Sequence, residues 1–180
     1  MEKDILSQSS RNVKTGKDTV AEEISNRLKN VEVYFPLHHD GADLLVVKGK
    51  KHVKIKVNEN YYERGRTWPS GHVGHSSHRL EISEKDGNGR KVDFYVFLTF
   101  VPLKTTRNAS PYGYRFLVVP SRDLKDRTAI KDHEKSGFNF CFHFQKKNVW
   151  DEKVKTTLNN SLTDYTKFLN AWQLLADALD

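Results

Sequence analysis

One cysteine, one methionine and five prolines stand among 180 residues, and no apolar run is long. A lone Cys141 excludes an intrachain disulfide and any cysteine-rich zinc site. That usage fits a reducing compartment, so a cytoplasmic protein is the expectation. The longest apolar runs, residues 44–47 and 94–101, fall far short of the roughly 20 residues a membrane-spanning helix requires. No membrane partner is expected, and residues 1–11 lack the apolar stretch of a signal peptide.

What is present is a modest apolar fraction, 37%, gathered into discrete segments with ten Phe, seven Tyr and three Trp. Such segments can form a core, which argues against global disorder. The length suits one domain, read as residues 16–180 behind a polar, flexible arm at 1–15. Thirty Lys+Arg against 23 Asp+Glu leave a formal charge of +7. That surplus favours an anionic partner such as nucleic acid, and is also ordinary for a solvated surface.

Periodicity predicts an α/β chain with a mixed central sheet flanked by helices. Asp18 or Thr19 is a good cap type, and Val20, Ala21, Ile24 and Leu28 then recur at helical spacing up to residues 29–30. Strands are expected at 31–35, ended by Pro36, and at 44–47 and 52–57, paired as a hairpin about Gly49. A polar excursion follows over 58–89, with Leu80 and Ile82 in a short strand. Residues 92–101 and 114–119 read as central strands, 121–130 as a site for a short helix, and 139–144 and 149–154 as further strands. Leu162, Tyr165, Phe168, Leu169, Trp172, Leu175, Ala176 and Leu179 predict a long C-terminal helix after Ser161, packed on the sheet.

The chemistry-bearing residues cluster early. Glu22 and Glu23 lie on the first helix, Asp43 opens an apolar strand, and Lys54 and Lys56 share one face of its hairpin partner. Mg²⁺ takes hard oxygen ligands and keeps waters, while a lysine can orient the attacking water and screen a phosphate. A carboxylate, an adjoining lysine and a helix carboxylate are what metal-dependent phosphodiester hydrolysis needs. Each residue also has a structural reading: Asp43 capping a turn, the glutamates solvated in a first helical turn, the lysines protecting a strand edge.

The order of these parts resembles the PD-(D/E)XK nuclease superfamily, with its restriction-endonuclease-like fold. The resemblance runs through Gly16-Lys17-Asp18-Thr19-Val20-Ala21-Glu22-Glu23, Gly41-Ala42-Asp43-Leu44-Leu45-Val46-Val47 and Val53-Lys54-Ile55-Lys56-Val57. It continues downstream in Asp93-Phe94-Tyr95-Val96-Phe97-Leu98 and in the run from Tyr114 to Ser121. It implies a DNA-acting hydrolase in which Asp43 and Glu22 hold Mg²⁺, with the Ile55 carbonyl beside them, and Lys56 positions the water. Glu23 is the alternative to Glu22, since helical geometry sets it nearer the buried face. Lys54 stands where the family carries an acidic residue, and sliding the frame by two puts Lys56 there and Asn58 at the lysine position. The resemblance therefore implies either a Mg²⁺-dependent endodeoxyribonuclease or an inactive nuclease-like module that binds nucleic acid or a partner protein. A homodimer is also open, with residues 58–89 as the segment that could mediate it.

Nucleic-acid contacts are expected from Lys48, Lys50 and Lys51 on the hairpin turn and from Arg64, Arg66 and Trp68 after it. Tyr61 and Tyr62 could stack on unpaired bases or cover the hairpin edge. His72, His75 and His78 recur every third residue, and His38, His39 and Asp40 add ligand types near Asp43. The Gly and Ser content around 71–78 predicts a loop of solvated histidines, so Zn²⁺ is not expected. Cys141, between Phe140 and Phe142, is read as core packing.

Overall fold

The computed structural model describes residues 15–37, 41–61, 75–80, 92–102, 112–128, 138–145, 148–152 and 162–180. It is a mixed α/β arrangement of two sheets and three α-helices among those residues.

Helix α1, Gly16–Arg27, begins one turn earlier than its apolar periodicity alone suggests, because Thr15 caps it. The Thr15 side chain accepts from the Asp18 N–H, and the Asp18 carboxylate accepts in return from the Thr15 N–H at 3.0 Å. Gly16 lets the Glu59 side chain lie against the helix start, since a Cβ at that position would fall 1.8 Å from Glu59 Oε2 and the glutamate would have to shift. The first turn of the helix thereby rests near the end of the strand that carries Glu59.

The first sheet has the order β1-β2-β3-β5-β6. Strands β1, Glu32–Tyr34, β2, Leu44–Lys48, and β3, Lys51–Tyr61, form an antiparallel meander. Gly49, at φ +60°, takes the first place of the two-residue turn between β2 and β3. After β4, His75–Leu80, the chain returns as β5, Phe94–Pro102, parallel to β3, and β6, Tyr112–Pro120, pairs antiparallel with β5. The single parallel pair makes the sheet mixed, as the sequence predicts.

The second sheet has the order β4-β7-β8-β9, with β7 at Phe138–Gln145, β8 at Asn148–Glu152 and β9 at Leu162–Asp164. Its presence revises the expectation of helices on the sheet's faces. Val20, Ala21 and Ile24 of α1 and Leu175 and Leu179 of α3, Gln173–Leu179, pack on one face of the first sheet against Leu44, Ile55, Val96 and Val118. The opposite face, with Phe97, Leu117 and Val119, is covered by Phe140, Phe142 and Phe144 of the second sheet and by Leu124 of α2, Ser121–Thr128. Phe97 sits between Phe140 and Phe142, with ring centroids 5.3 and 5.0 Å away.

The expected long C-terminal helix is divided. Residues 162–164 are strand, Thr166–Phe168 a single 3-10 turn, and only Gln173–Leu179 is α-helix. The cause is that the segment serves two cores: Tyr165 and Phe168 enter the inter-sheet core, while Trp172, Leu175 and Leu179 enter the helix-side core. Between them the chain passes the edge of β6, where Leu169 bridges Leu117 and the Asn170 N–H donates to the Phe116 carbonyl at 2.8 Å. Asn170 turns it with φ +52°.

The histidine loop is also revised. His75–Leu80 is strand β4, paired with β7, and His78 is 1% exposed, facing Phe97 and Phe142 in the inter-sheet core. Cys141 alternates with Phe140 and Phe142 on β7, so it lies on the other face of that strand and is half-buried, its Sγ 3.6 Å from His143 Nε2. No helix among the described residues is long and apolar enough to cross a membrane.

Candidate functional site

The hairpin register fixes the geometry of the site. Leu44 pairs with Ile55, and the N–H of Asp43, one residue before β2, donates to that same Ile55 carbonyl at 2.8 Å, so Asp43 and Leu44 both stand against Ile55 and the regular register ends there, as in a bulge. Asp43 Oδ1 lies 3.3 Å from Lys56 Nζ, and Asp43 Oδ2 accepts from the Val57 N–H at 2.9 Å. The carboxylate thus continues the β2 side of the ladder past the point where β2 itself stops.

A third group closes the site. Lys17 Nζ lies 2.7 Å from Asp43 Oδ1. Lys17 precedes Ala21 by four residues and Ile24 by seven, so it continues the apolar stripe of α1 beyond the end of the sheet. The stripe that packs the helix therefore aims Lys17 at Asp43. Placing the helix start at Asp18 or Thr19 hides that relationship, whereas extending the heptad-like spacing back one turn exposes it.

Asp43 is 8% exposed, whereas the Lys17 and Lys56 side chains are 47% and 41% exposed. Burial pushes the carboxyl pKa up. The hydrogen bonds from Lys17 and the Val57 N–H, with the charges of Lys56 and Lys17, outweigh it and hold Asp43 below the usual carboxylate range. Asp43 is an anion held by two ammonium groups whose outer sides remain in water.

Lys54 lies two residues before Lys56 on the same strand face, half-buried. Its backbone is clamped by Asp93, whose Oδ2 accepts from the Lys54 N–H while its own N–H donates to the Lys54 carbonyl, both at 2.8 Å. Asp43 and Asp93 thus cap opposite sides of β3. Asp93 is a site residue the sequence motif contains but its acidic role beside β3 is not apparent from spacing.

Glu22 is exposed on α1, and five residues after Lys17 it falls about 140° around the helix from the face that meets Asp43. Glu23 is nearer the buried side, as helical geometry predicts, and pairs with Arg27. The described residues hold no cluster of three His, Cys, Asp or Glu that could take a metal ion. Two ammonium groups already neutralise Asp43, and a divalent cation at that carboxylate would meet their charge. Among the described residues, the side chains placed against Asp43 are ammonium groups and not the oxygen ligands that Mg²⁺ takes.

Lys48, Lys50 and Lys51 stand at the hairpin turn, at the opposite end of β2 from Asp43, with Lys48 Nζ paired to the Asp180 carboxylate. Tyr61 is 56% exposed and stacks on Phe100 with centroids 5.0 Å apart. Arg64, Arg66, Trp68 and Tyr62, and likewise His38, His39, Asp40 and His72, lie outside the described residues. On strand β4 positions 75 and 78, three apart, fall on opposite faces.

His78 belongs to a buried polar group. Asn58 Oδ1 can only accept, so His78 Nδ1 donates to it at 2.8 Å, and Nε2 is left to accept from Ser76 Oγ at 3.0 Å or Thr99 Oγ1 at 3.2 Å. Burial pushes the imidazole pKa down to about 4. Serine, histidine and asparagine stand here in the order of a nucleophile, a base and its orienting group. Ser76 is 0% exposed and Thr99 1%, however, so the hydroxyl that would attack is walled off from solvent, and the group joins the two sheets.

Comparison with family models, with curated proteins and with solved structures finds no match to this chain.

Proposed function

We propose that this chain is a nuclease-like module that binds DNA through its lysines and does not hydrolyse it. The observation that carries this reading is the pair of lysine contacts to Asp43, from Lys17 at 2.7 Å and Lys56 at 3.3 Å. A hydrolase of the kind the sequence resembles would set a divalent cation at that aspartate. Here cationic side chains stand around the carboxylate instead, and Lys54 occupies the neighbouring acidic position.

The same arrangement favours a phosphate. Two half-exposed ammonium groups share one carboxylate, which leaves a local excess of positive charge facing water. Lysines in such a setting neutralise backbone phosphates without reading sequence, and the chain's +7 charge supports long-range attraction. Tyr61, exposed and held by Phe100, offers a ring face on which an unpaired base can stack.

The hydrolase reading retains one observation in its favour, the direct contact of Asp43 with Lys56. Incubation of plasmid, linear and branched DNA with Mg²⁺ or Mn²⁺ separates the two. The binding reading expects a gel shift that weakens as salt rises, with no cleavage under either metal. Metal-dependent cleavage that is lost in Asp43→Ala and Lys56→Ala would overturn it.

A further inference from the structure

A second site lies at the other end of α1 and β2. A cleft of about 420 Å³ opens between the C-terminal end of α1, the end of β2 and one side of α3. Lys48 is five residues past Asp43 along β2, about 17 Å at the rise of a strand. Arg27 is ten residues past Lys17 along α1, about 15 Å of helix. The cleft is therefore separate from the Asp43 site and does not depend on the DNA-binding reading.

Its lining is divided by chemistry. Leu28 and Leu179 supply apolar wall, and Arg27, Lys29 and Lys48 supply three cations. Glu23 pairs with Arg27 and Asp180 with Lys48, so two of those charges are balanced, and among the described residues Lys29 leaves one in excess. Trp172 also lines the cleft. It is 4% exposed, anchored edge-to-face on Phe116, and its indole Nε1 is buried with no hydrogen-bond partner among the described residues. The Trp172 side chain therefore forms a fixed part of the cleft wall, and its indole resonance reports on what enters.

The geometry points to a binding site for a small organic anion with an apolar body. The anionic group sits among Lys29, Arg27 and Lys48, and the apolar body packs on Leu28 and Leu179 beside Trp172. Carboxylate and phosphate monoester share this chemistry, and the cleft's volume suits a body of one ring or a short acyl chain.

Titration followed by the indole N–H resonances tests it. The chain has three tryptophans, and a Trp172→Phe variant assigns the signal that matters. Phenyl phosphate and benzoate serve as probes for the two anion sources, with inorganic phosphate and benzyl alcohol as the separated halves. A saturable shift of the Trp172 indole signal with either probe is expected, weakened about tenfold or more in Lys29→Glu, and the tighter of the two names the source. Lys29 is exposed, so that variant keeps the fold. No saturable shift with either probe, an equal response to inorganic phosphate alone, or unchanged affinity in Lys29→Glu would overturn the assignment.

Discussion

Lys17 Nζ and Asp43 Oδ1, 26 residues apart in sequence, meet at 2.7 Å and tie the first turn of α1 to the start of β2. With Lys56 and the Val57 N–H on the same carboxylate, Asp43 joins a helix and two strands through one side chain. Removing it strands the Val57 N–H, while the two half-exposed lysines recover water. Asp43→Ala is expected to cost about 1–3 kcal/mol of stability, read by urea unfolding. A double-mutant cycle with Lys17→Ala should return a coupling of about 0.5 kcal/mol or more, and a coupling of zero would show the contact to be incidental.

The Thr15 cap gives a smaller and more local effect. Thr15→Ala removes the acceptor for the Asp18 N–H and should lower stability by about 1 kcal/mol, whereas Thr15→Ser should be close to neutral.

His78 makes stability depend on pH. Its folded pKa, about 4, is below the ordinary 6.5, so over that interval the unfolded chain binds the proton that the folded chain refuses. The contribution is intact above pH 6.5, declines as pH falls toward 4, and amounts to about 3 kcal/mol in all. Asp43 adds to the loss at lower pH still, because its carboxyl is held below the usual range and its stabilisation disappears as it protonates. Unfolding free energy measured from pH 8 to pH 4 should fall for the wild type and fall less steeply for His78→Gln.

Much of this architecture is legible in the sequence, and the exceptions have physical causes. The hairpin follows from Gly49 and two alternating runs, and a two-residue turn then sets Leu44 opposite Ile55 by counting alone, with Asp43 the next residue along. The central pair β5 and β6 is written in continuous apolar runs. Lys17 escapes notice because a charged residue on an apolar stripe reads as the stripe's end. The C-terminal segment fails differently: residues at helical spacing from Leu162 to Leu179 also satisfy two cores in succession, and periodicity cannot distinguish one continuous face from two. His78 misleads because Gly and Ser around it signal a loop, while Ser76, His78 and Thr99 satisfy one another inside the core.

Phe97 bears on the junction of the two sheets. It is fully buried against His78, Phe140 and Phe142, so Phe97→Ala opens a cavity where the sheets meet and should cost about 3–5 kcal/mol. Lower stability with DNA affinity retained below the new melting point would separate this packing role from the lysine site.

The salt dependence of DNA binding tests the central claim most directly. Anisotropy of a labelled oligonucleotide, measured over a range of salt for the wild type, Lys17→Ala and Lys56→Ala, reports how many phosphates each lysine neutralises. Each substitution is expected to weaken binding uniformly across sequences and to reduce the slope of log K against log salt by about 1. Unchanged affinity and slope in both variants would contradict the account, and would return Lys17 and Lys56 to the role of counter-ions for Asp43 alone.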